Sequence, residues 1–152
     1  LVSIPTLAKD FIIDEKQIIR SLNAGATVIL LIVAALSEDR LKELFKFATR
    51  LGLEVLVETH NLSELDIAHR IGAKIIGVNN RNLTTFEVSL QTSLDLAPHF
   101  LPDRVYVSES GIFTNEQAEV LAPYFHALLV GTALMQSEDV VQKVKELSID
   151  KG

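Results

Sequence analysis

The sequence contains no cysteine. Disulfides, thiolate zinc sites and a cysteine nucleophile are therefore excluded, and the composition fits a reducing, cytoplasmic setting. Basic runs are lacking too. The 14 Lys and Arg stand against 20 Asp and Glu, for a formal charge of −6, so no nucleic-acid face is expected. The longest apolar run, Val28 to Leu36, is far shorter than the roughly 20 helical residues that span a bilayer, so no membrane partner is expected. No signal peptide is evident, but the chain starts at Leu1 instead of Met, so targeting is only weakly excluded and upstream sequence, in a fragment or a natural truncation, stays open. The segment GAKIIGVNN lacks the G-x-G-x-x-G pattern of a dinucleotide site, and no cofactor is expected. His60, His69, His99 and His126 show no metal-ligand spacing. No metal is expected, and all four read as structural or solvated, with His60 set apart because it follows Glu58 so closely.

What is present is a regular alternation. With 152 residues, 48% of them hydrophobic, the chain is large enough for one domain over residues 1–152. Short apolar runs occur at Ile4 to Leu7, Val28 to Ala35, Val55 to Val57, Ile75 to Val78, Val105 to Val107 and Ala127 to Val130. They show little polar alternation, as do strands of a parallel sheet buried on both faces. Between them lie helical patterns. Ser37, with Glu38 and Asp39 behind it, starts one that repeats Leu41, Leu44, Phe45 and Ala48 and ends at Gly52. Leu62, Leu65, Ala68 and Ile71 line another, closed by Gly72, and Thr114 with Gln117 has capping-box spacing for a third. A weak repeat, NAGATVIL, RLGLEVLV and RIGAKIIG, places a glycine at a helix end before each strand. Six βα units with right-handed crossovers follow, in an open doubly wound sheet or in part of a closed barrel.

Polar residues cluster just after these runs. Lys9 and Asp10 follow the first, and Glu58, Thr59 and His60 the third. Asn79, Asn80 and Arg81 follow the fourth, Ser108 to Gly111 the fifth, and Gly131 and Thr132 the sixth. In a barrel such positions gather at the C-terminal mouth, where active sites of that fold lie; taken singly, each is ordinary solvation of a strand end. SESGI and LLVGTALM place small residues beside free backbone N–H groups, as phosphate-binding turns do, although each alone is also an ordinary glycine turn. Lys9 and Glu58 read either as an acid–base pair, with pKa values tuned by an apolar mouth, or as a surface ion pair. Arg81 is suited to gripping a carboxylate through two parallel hydrogen bonds, or is a plain surface arginine.

At these residues a resemblance emerges. IPTLAKDFIID, VLVETHN, IIGVNNRNLTTFEV, VSESGI and ALLVGTALM resemble the third, fifth, sixth, seventh and eighth strand motifs of indole-3-glycerol-phosphate synthase, and GATVILLIVAAL resembles the fourth. The resemblance covers nearly the whole chain. It implies an α/β fold of the parallel (βα)8 TIM-barrel type with six consecutive βα units present. It also implies ring closure on 1-(2-carboxyphenylamino)-1-deoxyribulose 5-phosphate with loss of carbon dioxide and water, a step of tryptophan biosynthesis. On this basis Lys9 matches the general acid at the ketone oxygen and Glu58 the base of dehydration. Asn79 and Arg81 match residues that hold the anthranilate end, while Phe11, Leu30 and Leu129 match apolar walls. Ser110, Gly111, Gly131 and Thr132 match the phosphate turns, and Glu109 an acidic site residue of open role. The family's first two strands, with a catalytic glutamate and a substrate-binding lysine, have no counterpart here. Two other readings remain: an inert or self-associating barrel fragment, and another phosphate-binding barrel such as phosphoribosylanthranilate isomerase. The set of Lys9, Glu58, Asn79 and Arg81 argues against the last.

Overall fold

The computed structural model describes residues 3–149. Leu1, which bears on the question of upstream sequence, lies outside the described residues. Six strands form one sheet in the order β1 (Leu7–Ala8), β2 (Val28–Ile32), β3 (Glu54–Thr59), β4 (Ile75–Asn79), β5 (Val105–Glu109) and β6 (Ala127–Leu129). Sequential strands are neighbours and run parallel, with Leu30 opposite Leu56, Ile32 opposite Glu58, and Glu109 opposite Leu129. Helices α1 (Glu15–Asn23), α2 (Glu38–Arg50), α3 (Leu62–Arg70), α4 (Gln91–Leu96) and α5 (Asn115–Leu121) connect them, and α6 (Thr132–Met135) and α7 (Val140–Leu147) follow β6. This is the α/β arrangement of a partial (βα)8 barrel, as expected. The chain packs as two compact units, Leu1–Ile76 and Gly77–Gly152.

In the first unit, β2 and β3 are buried along most of their length. Leu41, Leu44 and Ala48 of α2 and Leu65 and Ala68 of α3 are fully buried, which is the apolar stripe that the helical spacing describes. Ser37 caps α2, its Oγ accepting the Arg40 N–H, and Glu38 and Asp39 occupy the first turn, where the helix dipole favours negative charge. Asp14 and Gln17 form a reciprocal capping box on α1 that the sequence reading does not single out. Arg40 clamps Glu15 through two bonds of 2.7 and 2.6 Å, joining α2 to α1.

The second unit is centred on Tyr106 of β5, whose ring stacks on Phe100 at 3.5 Å, with Phe125 edge-on to Phe100. The Tyr106 hydroxyl accepts the Leu101 N–H, so its polar tip is satisfied while burial pushes its pKa up. His126 is structural, as expected: its Nδ1 accepts the Tyr106 N–H at 3.1 Å. Thr114 and Gln117 form the expected capping box on α5.

β3, β4 and β5 extend past the expected runs Val55 to Val57, Ile75 to Val78 and Val105 to Val107, and the other three runs overshoot their strands. The Ile4 to Leu7 run is strand only at Leu7–Ala8, and Ile4 is 69% exposed. Pro5 has no N–H for a ladder, and pairing begins instead at the Thr6 carbonyl, which accepts from Thr27 and Val28. The Val28 to Ala35 run leaves the sheet after Ile32, where pairing with Glu58 ends, and turns into a 3-10 helix at Val33–Ala35. The last strand stops at Leu129 instead of Val130.

Leu44 lies at the centre of the α2 stripe with no solvent exposure. Leu44→Ala is expected to cost about 2–5 kcal/mol through lost transfer energy and a residual cavity, read in urea as a lower midpoint at unchanged slope.

Candidate functional site

The polar residues singled out by the sequence sit at, or just beyond, the C-terminal ends of their strands. They form one constellation in each unit.

In the first unit, β1 ends one residue before Lys9, and Glu58 is the penultimate residue of β3. The Lys9 Nζ lies 3.6 Å from Glu58 Oε2; the lysine side chain is 44% exposed and the glutamate 2%. The pair is therefore not a surface ion pair, since one partner is almost wholly withdrawn from water. A second cation meets the same carboxylate. His60 Nε2 is 3.2 Å from Glu58 Oε1, and its Nδ1 is 3.0 Å from Glu64 Oε2. Burial pulls the His60 pKa down, but the Glu58 and Glu64 carboxylates outweigh it and raise the value to about 9. His60 is thus a charged, partly buried member of the cluster and not a solvated ring. Glu64 is not evident from the pattern of strand ends. The available signal is Asn61 followed three residues later by Glu64, a helix-start spacing. Asn61 does cap α3, its Oδ1 accepting the Glu64 N–H at 3.0 Å.

In the second unit, Asn79 ends β4 and is buried, and Arg81 is half-buried two residues on. Asn79 Oδ1 accepts both the Arg81 N–H at 3.0 Å and the Ser110 hydroxyl at 2.8 Å, bringing three expected site residues together. Behind them lies a buried network whose side-chain roles the sequence does not reveal. Asn80 Nδ2 donates to Ser108 Oγ and to the Ser110 carbonyl, both at 3.1 Å, and Asn80 Oδ1 accepts the Ser93 N–H. Ser93 and Ser108 hydroxyls are 2.8 Å apart. This network holds Ser110 (φ 69°) and Gly111 (φ 78°) in consecutive left-handed conformations. Glycine is required at the second position, because a Cβ there would run into the Val88 side chain. Glu109 ends β5 fully buried.

The remaining expected residues are placed as follows. Leu30 is buried in β2, and Leu129, the last residue of β6, is half-buried. Phe11 is 62% exposed, with its N–H donating to Asp10. Gly131 and Thr132 open α6 and are exposed. No group of His, Asp and Glu among the described residues is arranged to hold a metal ion, and no helix there is long and apolar enough to cross a membrane.

The sequence profile of the family described as "Indole-3-glycerol phosphate synthase" matches residues 1–147. The chain belongs to this family. It is 77% identical over 151 residues to the indole-3-glycerol phosphate synthase of Streptococcus pneumoniae (strain JJA), and 76% identical to that of strain CGSP14. Each match covers 99% of the chain and 59% of the relative, so the chain spans about three-fifths of the length of these curated relatives. Among solved structures, 3-hexulose-6-phosphate synthase from Salmonella typhimurium superposes with a TM-score of 0.79. That match covers 94% of this chain and 71% of the other at 14% identity, a likeness of fold alone.

The His60 cluster has a consequence for stability. Its folded-state pKa is raised, so its contribution is fully present below the unfolded value of about 6.5 and is lost as pH rises through about 9. His60→Asn is expected to cost about 1.5–3 kcal/mol at low pH, the range for hydrogen bonds to charged groups. Urea unfolding from about pH 6 to about pH 10 should show the wild-type advantage shrinking across that window.

Proposed function

We propose that the chain is the C-terminal six βα units of an indole-3-glycerol-phosphate synthase. The whole protein would close an indole ring on 1-(2-carboxyphenylamino)-1-deoxyribulose 5-phosphate, with loss of carbon dioxide and water. The observation that carries this reading is the Lys9–Glu58 pair, 3.6 Å apart at the ends of β1 and β3 with the carboxylate buried. It sets a proton donor beside a proton acceptor at the strand ends where sites of this fold lie. In this reading Lys9 protonates the ketone oxygen during closure, and Glu58 takes the proton released in dehydration. Asn79 and Arg81 hold the anthranilate carboxylate, and Phe11, Leu30 and Leu129 supply apolar walls. The left-handed turn at Ser110 and Gly111 and the turn at Gly131 and Thr132 offer backbone N–H groups to the phosphate. Glu109 belongs to the site with no role assigned. No cofactor enters this chemistry.

Lys9→Met in the full-length protein is expected to lower kcat by about 10²–10⁴-fold, the usual contribution of a general acid, with KM changed little. Steady-state kinetics on the carboxyphenylamino substrate check this, and turnover near wild type would remove Lys9 from the role.

A second reading concerns the chain on its own. β1 and β6 are the outer strands of the sheet order, and such edges carry unpaired backbone groups. A groove lined by Ala118, Ala122, Phe125, Leu128 and Leu147 lies beside β6. The isolated chain is expected to self-associate and to lack turnover, because the family's first two strands supply a catalytic glutamate and a lysine. Adding a domain that carries those two units should restore indole-3-glycerol phosphate formation. Sedimentation and a product assay test the two halves separately; a stable monomer or an active isolated chain would refute them in turn.

A further inference from the structure

His60 takes no part in the chemistry proposed above, yet its backbone N–H and both ring nitrogens face carboxylates. Glu64 Oε2 accepts the His60 backbone N–H at 2.8 Å and lies 3.0 Å from its ring Nδ1. Glu64 is itself held: Asn61 Nδ2 donates to its Oε1 at 3.0 Å, and its own N–H donates back to Asn61 Oδ1. The first turn of α3 therefore fixes the ring, leaving Nε2 toward Glu58 Oε1 at 3.2 Å. Nδ1 is hydrogen-bonded to Glu64, whereas Nε2 meets Glu58 at ion-pair distance without hydrogen-bond geometry; only the imidazolium form turns a positive N–H to both carboxylates, and a neutral ring would set a lone pair against one of them. Glu58 thus divides its oxygens, Oε1 to His60 and Oε2 toward Lys9. The charged groups around the ring are Glu58 from β3 and Glu64 from α3, with Lys9 beyond Glu58 from the end of β1.

We infer that His60 is a positioning residue for Glu58, with Glu64 behind it: the ring holds Oε1, so that Oε2, on the Lys9 side, is the oxygen that exchanges the proton. The inference rests on the reading of Glu58 as the base and adds what orients it and keeps it ionised. A buried carboxylate without a second cation would gain proton affinity and lose its preferred rotamer. His60 supplies the charge, and Glu64 and Asn61 supply the geometry.

The test uses the full-length synthase carrying this segment. Ring ¹⁵N NMR should show both His60 nitrogens protonated at neutral pH, with deprotonation near 9; a neutral ring at neutral pH would overturn the inference. His60→Asn should lower kcat by up to about 10²-fold, the scale of a misplaced catalytic group, with little change in KM. The acid limb of its kcat/KM profile should move to higher pH. Glu64→Gln should act in the same direction and more weakly. A kcat loss with an unmoved pH profile would mark a merely structural residue and sink the proposal, as would wild-type kinetics. If His60→Asn does not fold, Glu64→Gln and the NMR measurement decide. Glu58→Gln separates the two levels: near-normal turnover there refutes Glu58 as the base. Its inactivation together with a wild-type His60→Asn refutes only the positioning role.

Discussion

Burying the Glu58 carboxylate sets the terms for the first unit. A charged group withdrawn from water is tolerated only when paired and hydrogen-bonded, since losing a partner costs several kcal/mol. Lys9 and His60 supply the pairing from either side. His60 reaches its place through Glu64, and Glu64 through the Asn61 cap of α3. A helix start, ordinarily a matter of satisfying orphan N–H groups, here also aims an imidazole. The chain of dependence runs from Asn61 through Glu64 and His60 to the carboxylate read as the base of the proposed chemistry.

The second unit solves a different problem. Its constraint is conformational: two consecutive left-handed residues, Ser110 and Gly111, just after β5. Such backbone is unfavourable for a serine and persists where surrounding bonds over-determine it. Asn80, Ser93 and Ser108 provide those bonds from a fully buried network. Asn79 then ties the same turn to Arg81. The Asn80 and Ser108 side chains are not among the expected site residues, yet Asn80 bonds the Ser110 carbonyl and Ser108 bonds Asn80. Beyond Arg81, the loop closes on itself through an antiparallel bridge from Arg81 to Val88. Asn82 adds two side-chain bonds to the N–H groups of Thr84 and Thr85. Val88 is brought in this way against Gly111, where no side chain fits.

Element order and type, the parallel sheet, the α2 and α3 stripes and the Ser37 and Thr114 caps are all legible in the sequence, because periodicity and capping are local properties. So are the positions of Lys9, Glu58, Asn79, Arg81, Ser110 and Gly111 at strand ends. Tertiary structure decided the rest. Pro5 shortens β1 because a ladder needs an N–H that proline lacks, and β2 leaves the ladder after Ile32, opposite Glu58, although β3 runs on to Thr59. Whether Lys9 and Glu58 make a surface pair or a half-buried one depends on what covers Glu58, which no spacing encodes. In sequence, His60 is set apart from His126 only by following Glu58 closely. One is an imidazolium between two carboxylates and the other accepts a backbone N–H, because a histidine's charge is set by whatever the fold places against its two nitrogens.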